Sequence, residues 1–285
     1  MKPAPFGYRR ARSLEQAVAM LAAEGEDARI LAGGQSLVPM MNFRLARPPA
    51  LVDINDCADL STISLDGETL TVGATVRQRA AENDPLVRTH APLLAEALAN
   101  AGPATVRNRG TVCGSLANAY PLAHSPNAAL ALGATLRIVG PDGARTVPID
   151  EFLVAAMVTA VEAGEILAAV SIPVLRAGER MAFAEARNHR GGAATALVSI
   201  RASLAEGRIR AARVAASGLD DHAIRLPHVE AALADGADIE AAYRADLADR
   251  PFAADDETTR HAERVVPTLI ARLLARIGAD TEDAR

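Results

Sequence analysis

The chain has 285 residues, more than one compact core usually holds, so two or three packed units are expected, each with its own apolar interior. Half of the residues are apolar and 23% are charged, the balance of a folded globular protein rather than of a disordered one. A net charge of −5 without any basic block argues against a general nucleic-acid role, and no apolar run approaches the roughly 20 residues of a membrane-spanning helix.

The first eight residues, ending in Phe6-Gly7-Tyr8, carry no hydrophobic leader core, which points to the cytoplasm. Cys57 and Cys113 are the two cysteines of the chain, too few to ligate an iron–sulfur cluster here, so any such cluster belongs to another chain. Ser13 and Gln16 have capping-box spacing at the head of an apolar series, Leu14, Val18, Leu21 and Ala22, which predicts a helix closed by Gly25. Arg29 to Ala32 then reads as a short strand running into Gly33-Gly34. The Pro48-Pro49 pair precedes a second short strand over Ala50 to Ile54, which completes a small α/β unit.

From Ile63 to Ala74 the Asp66-Gly67 turn separates two strands, and Thr75 is placed to cap a following helix through Arg79 and Glu82. A helix over Pro92 to Ala101 stops at Gly102-Pro103, and Asn108 to Ser115 forms a second glycine-containing loop. Gly140-Pro141-Asp142-Gly143 between Ala134–Val139 and Thr146–Ile149 is the clearest hairpin signal, and another strand covers Ile166 to Ile172. Beyond Pro173, strands are expected over Met181–Arg187, Ala194–Leu204 and Ile209–Ala216, followed by an alanine-rich helical region from Pro227 and a polar end, Asp280 to Arg285, that is expected to fray.

A phosphate needs several donors close together, and backbone N–H groups converge on it where no Cβ blocks approach or where φ is positive. Gly33-Gly34 meets that need, with Ser36 adding a hydroxyl and Gln35 an amide. A strand followed by two glycines is more often a plain tight turn, and the spacing is not the dinucleotide fingerprint with glycines at the first, third and sixth positions.

Two longer stretches carry more. Ala32-Gly33-Gly34-Gln35-Ser36-Leu37-Val38-Pro39-Met40-Met41-Asn42-Phe43-Arg44, followed by Leu51-Val52-Asp53-Ile54, resembles the first FAD motif of the medium subunit of the carbon monoxide dehydrogenase and xanthine dehydrogenase family of molybdenum hydroxylases. Arg107-Asn108-Arg109-Gly110-Thr111-Val112-Cys113-Gly114-Ser115 is similar to the second FAD motif of that family, in the right order and at a fitting separation. The resemblance implies an α+β FAD-binding fold: subdomain 1 over 1–56 with a small parallel sheet, subdomain 2 over 57–175 with a larger, mostly antiparallel sheet, and a C-terminal α+β domain over 176–285. It further implies that Ala32, Gly33, Gly34, Gln35 and Ser36 hold the FAD pyrophosphate from one side and Thr111, Val112, Cys113, Gly114 and Ser115 from the other. By the same resemblance Leu37, Ala101 and Leu167 line the cofactor, and iron–sulfur and molybdopterin subunits are the partners.

The chain departs from that family at four places. Cys113 stands where the family has a glycine, and fits if its φ is negative; a packed thiol is the plainer reading than a redox role. Tyr120 and His124 replace common acidic residues, the latter at the flavin's sugar-like chain. Glu185 falls near the usual position of a lysine, so it would oppose negative charge on reduced flavin unless a slip of register lets Arg187 or Arg190 substitute. Two other functions stay open: a stand-alone FAD-dependent oxidoreductase on the same fold, and a degenerate non-catalytic subunit without FAD. His222 and His228 lack metal-ligand spacing and read as ordinary surface or core histidines.

Overall fold

The computed structural model describes residues 2–189, 192–250 and 256–278. In the N-terminal part β1 (Gly7–Arg10), α1 (Leu14–Glu24), β2 (Arg29–Leu31), α2 (Leu37–Asn42) and β3 (Ala50–Asp53) build a three-stranded parallel sheet ordered β1-β3-β2. The cap of α1 follows from its sequence: Ser13 Oγ accepts from Gln16 N at 3.2 Å, while Gln16 Oε1 reaches back to Arg12 N at 2.7 Å. Leu14, Ala17 and Leu21 form the buried face of that helix, which packs on β3.

The middle of the chain runs through β4 (Ile63–Asp66), β5 (Thr69–Gly73), α3 (Gln78–Asn83), α4 (Pro85–His90), α5 (Pro92–Asn100), α6 (Ala104–Arg107), α7 (Val112–Asn118) and α8 (His124–Leu132). It continues with β6 (Thr135–Gly140), β7 (Gly143–Pro148), α9 (Ile149–Phe152), the small hairpin β8 (Leu153–Ala155) and β9 (Val158–Thr159), and β10 (Ile166–Pro173). Its five-stranded sheet has the order β4-β5-β10-β6-β7 and every pair is antiparallel. Both glycine turns form as expected, with Asp66 opposite Thr69 and Gly140 opposite Gly143.

Thr75 does not cap the next helix. Backbone bonds from Ala74 N to Ala168 O and from Thr75 N to Leu60 O hold this stretch extended, so α3 begins at Gln78 with Arg77 at its N-cap. The Thr75 hydroxyl is left buried without a protein partner among the described residues.

The last part is a four-stranded antiparallel sheet, β11 (Glu179–Arg187), β12 (Ala194–Ala205), β13 (Arg208–Ser217) and β14 (Ile224–Arg225), followed by α10 (Pro227–Asp235), α11 (Ile239–Ala248) and α12 (Glu257–Ile277). In α12 the buried residues Val266, Leu269, Ile270, Leu273, Leu274 and Ile277 form one stripe, which packs on β11 and β12. Burying each large side chain of that stripe stabilises the domain by about 1.5–3 kcal/mol.

The α+β class expected from the sequence is therefore realised, with a small parallel sheet and larger antiparallel ones. Helix α8, buried along its whole length, packs on β12 and β13 of the last sheet and on β10 of the five-stranded sheet. Its one amide, Asn127, is satisfied across the interface by Ser199 Oγ at 2.6 Å and Ser217 Oγ at 3.0 Å. Among the described residues no helix is long and apolar enough to cross a membrane. The expected fraying of Asp280 to Arg285 lies outside the described residues.

Candidate functional site

The first glycine loop leaves the end of β2 and turns into α2. Gly34 has φ of +70°, a conformation that excludes most side chains at little cost to glycine. Gly33 is fixed by space instead: a Cβ there would lie 2.5 Å from Arg109 O, 2.7 Å from Gly110 Cα and 3.0 Å from Thr111 N. All three are backbone atoms of the second loop, so two segments some 75 residues apart in sequence are in direct contact, and glycine is what allows it. Among the described residues no backbone N–H from Gly33 to Ser36 donates to a protein group. Ser36 and Gln35 are exposed, and the Ser36 hydroxyl makes no cap bond. The Gln35 amide folds back and donates to Gly33 O at 3.2 Å, which braces the loop with one of its two N–H groups.

The second loop is pinned to α3. Gln78 N donates to Gly110 O at 2.8 Å and Val112 N to Val76 O at 3.2 Å, a single antiparallel bridge. Thr111 caps α7 by accepting from Gly114 N at 3.0 Å, and a Cβ on Gly114 would meet Thr111 Oγ1 at 2.6 Å, so the cap and the glycine require each other. Val112 and Cys113 point into the core, and Ser115 is half-buried. Cys113 is not among the residues with positive φ; its thiol lies 3.6 Å from Val72 O, and burial pushes its pKa up to about 12. A thiol so held is a packing group.

A third group of expected residues gathers around α5, α8 and β11. His124, the first residue of α8, places Nε2 2.9 Å from Glu185 Oε2, with its ring tilted 43° to Phe183 at 5.5 Å. Arg187 forks onto the same carboxylate at 2.6 and 2.9 Å and also donates to Asn100 O at 2.9 Å and to Gly192 O. Asn100 is followed by Ala101, the C-cap of α5. Burial alone would raise the Glu185 pKa, but hydrogen bonds from His124 and Arg187 outweigh it and hold the carboxyl below its ordinary range.

Glu185 is thus not an isolated negative charge opposed to a reduced flavin: Arg187, two residues along the same strand face, offsets it. The β11–β12 register shifts between Ala186 and Arg187, and Arg190 lies outside the described residues. Leu167 sits apart from these polar groups, buried in β10 at a bulge opposite Ile138; Leu37 opens α2 and is half-buried. Tyr120 is exposed, just beyond the left-handed Ala119 that ends α7. His222 faces Asp221 and His228 faces Asp249, and among the described residues no cluster of His, Cys, Asp or Glu could hold a metal.

Comparison with known proteins gives the family and the fold. Residues 4–175 match the family model described as the FAD binding domain in molybdopterin dehydrogenase. The chain is 36% identical over 282 residues to the 6-hydroxypseudooxynicotine dehydrogenase complex subunit alpha of Paenarthrobacter nicotinovorans, covering 97% of this chain and 95% of that one. It is 34% identical to the carbon monoxide dehydrogenase medium chain of Hydrogenophaga pseudoflava, over 79% of this chain and 78% of that one. A solved chain of carbon monoxide dehydrogenase from Hydrogenophaga pseudoflava, in a form lacking the Mo-pyranopterin moiety, superposes with a TM-score of 0.89 at 33% identity, covering 97% of this chain and all of that one.

Proposed function

The chain belongs to the family of FAD-binding domains of molybdopterin dehydrogenases, and on that premise we propose that it passes electrons from iron–sulfur clusters on one partner chain to an external acceptor. A second partner, carrying molybdopterin, would oxidise the substrate. The chain is an oxidoreductase subunit and its cofactor is FAD. When bound, FAD supplies the redox chemistry, and the protein's share is binding and electrostatic tuning.

The observation that carries this reading is the contact of Gly33 with Arg109, Gly110 and Thr111. It brings both glycine loops to one place, and the N–H groups of Gly33, Gly34, Gln35 and Ser36 have no protein partners among the described residues. Such a cradle fits a pyrophosphate, which takes hydrogen bonds from closely spaced backbone donors that a Cβ would keep at a distance. We assign Ala32 to Ser36 to one side of the pyrophosphate and Thr111 to Ser115 to the other, with Cys113 contributing its backbone rather than its thiol. Leu37, Ala101 and Leu167 are assigned to the cofactor's apolar contacts. His124 and Glu185 belong to the flavin end, where Arg187 keeps the local charge near balance and His124 can hold a proton at Nε2 against Glu185.

Purification of the full chain with the subunits that accompany it tests the proposal. Flavin absorbance bands, release of FAD on denaturation, and co-purification of an iron–sulfur chain and a molybdopterin chain are expected. A solitary chain that retains FAD and turns over a substrate of its own would overturn the subunit role.

A further inference from the structure

The first glycine loop follows β2 and the second joins α6 to α7, and their contact through Gly33 is only van der Waals, so something else must set their spacing. We infer that Asn55 and Arg77 are positioning residues that clasp the two loops together at the distance a pyrophosphate requires. Asn55 follows β3 and Arg77 precedes α3, so each stands beside one of the loops. Asn55 Nδ2 donates to Ala32 O at 2.9 Å, holding the first loop. Its Oδ1 accepts from Arg77 Nη2 at 2.6 Å. The other arm of the same guanidinium, Nη1, donates to Arg109 O at 2.7 Å, holding the second loop at the atom nearest to Gly33.

The clasp is itself oriented from behind. Asp53 Oδ1 accepts from Asn55 N at 2.8 Å and from Nδ2 at 2.6 Å, and Tyr8 donates to Asp53 Oδ2 at 2.5 Å. The amide can therefore present its oxygen to Arg77 in one orientation only, because both of its other contacts need a donor. Arg suits the bridging position for a physical reason: a planar guanidinium reaches two acceptors at a fixed angle, which a lysine ammonium on a flexible stem does not. The polar groups used face the loops' carbonyl oxygens, so the N–H groups that would meet a phosphate stay available.

This inference rests on the assignment of the two loops to the pyrophosphate, and the experiment separates the two. FAD dissociation constants are measured by flavin fluorescence on the full chain for the parent, Arg77→Ala, Asn55→Ala, the double variant and Arg77→Lys, alongside unfolding midpoints with and without FAD. We expect Arg77→Ala to weaken FAD by at least about tenfold, Asn55→Ala by somewhat less, the double variant by no more than Arg77→Ala, and Arg77→Lys to recover part of the loss, since residues in one chain of contacts are not additive. The gap between the midpoints with and without FAD should shrink in the same order. Equal lowering of both midpoints with FAD affinity unchanged, in Arg77→Ala and in Arg77→Lys, would reduce the clasp to a brace of the fold and overturn the inference. A parent chain that binds no FAD would instead overturn the assignment of the loops.

Discussion

The two ends of the candidate cofactor site are built from different materials. At the phosphate end the fit is made by backbone: a glycine pressed against three backbone atoms of another loop, a second glycine at φ of +70°, and a row of N–H groups without protein partners among the described residues. At the flavin end it is made by ionisable side chains, with Glu185 shared between His124 and Arg187. A backbone cradle tolerates almost no change in shape but is indifferent to pH. A carboxylate held by an imidazole and a guanidinium tolerates changes of shape better and depends on charge.

The largest effect should come from adding one methyl at the phosphate end. In Gly33→Ala the Cβ would meet Arg109 O at 2.5 Å and Gly110 Cα at 2.7 Å, and neither atom can move without moving the second loop. Overpacking of this kind costs about 1–3 kcal/mol of stability, and the loops must part to relieve it. The expected result is a folded chain, by circular dichroism, with FAD content reduced by an order of magnitude or more. Retention of stoichiometric FAD would break the contrast, because the cradle would then be as forgiving as the flavin end.

Arg187→Ala should have a smaller effect with a pH signature. It leaves Glu185 with His124 alone, and because the carboxylate is only partly buried, a loss of about 1–2 kcal/mol is expected at neutral pH rather than the full cost of a buried orphan charge. The folded-state pKa of Glu185 is depressed, so its contribution is fully present above the ordinary carboxylate value of about 4.3 and is lost as pH falls through the lower folded value. Urea unfolding should therefore show the gap between parent and variant narrowing from pH 7 toward acid. Adding Glu185→Gln to Arg187→Ala should recover part of the loss at neutral pH, and a gap independent of pH would show that Arg187 acts through Asn100 and Gly192 instead.

The same contrast explains what could be read from the residues alone. Glycine patterns act through local sterics, so the turns at Asp66-Gly67 and at Gly140 to Gly143, and the first loop at Gly33-Gly34, are visible in the sequence. The fork of Arg187 on Glu185 was half-visible, since residues two apart on a strand share a face; the approach of His124 from 61 residues away was not. Strand β1, mostly exposed in sequence Gly7-Tyr8-Arg9-Arg10, has no apolar alternation and exists through its parallel pairing with β3. Helix α8 is buried on every side, so it shows no amphipathic period. Thr75 had the right residue type for a cap but lies in a segment already committed to backbone bonds with Leu60 and Ala168. Asn55 and Arg77 carry no motif at all, because the loop atoms they hold are carbonyl oxygens, which any residue supplies.

The smallest expected effect sharpens the contrast at Cys113, which sits within the second loop and yet faces away from the cradle. Its side chain is packed in the core with its thiol toward Val72 O, so Cys113→Ala should cost about 1 kcal/mol of stability through lost packing. FAD affinity should stay within about twofold, because a residue that serves through its backbone loses nothing when its side chain is shortened. Burial, which also pushes the thiol's pKa to about 12, should leave Cys113 unreactive toward iodoacetamide at pH 8 until the chain unfolds. Rapid native-state alkylation, or a large loss of FAD in the alanine variant, would place the thiol on the cofactor side of the loop and make the phosphate end, too, a site that depends on side chains.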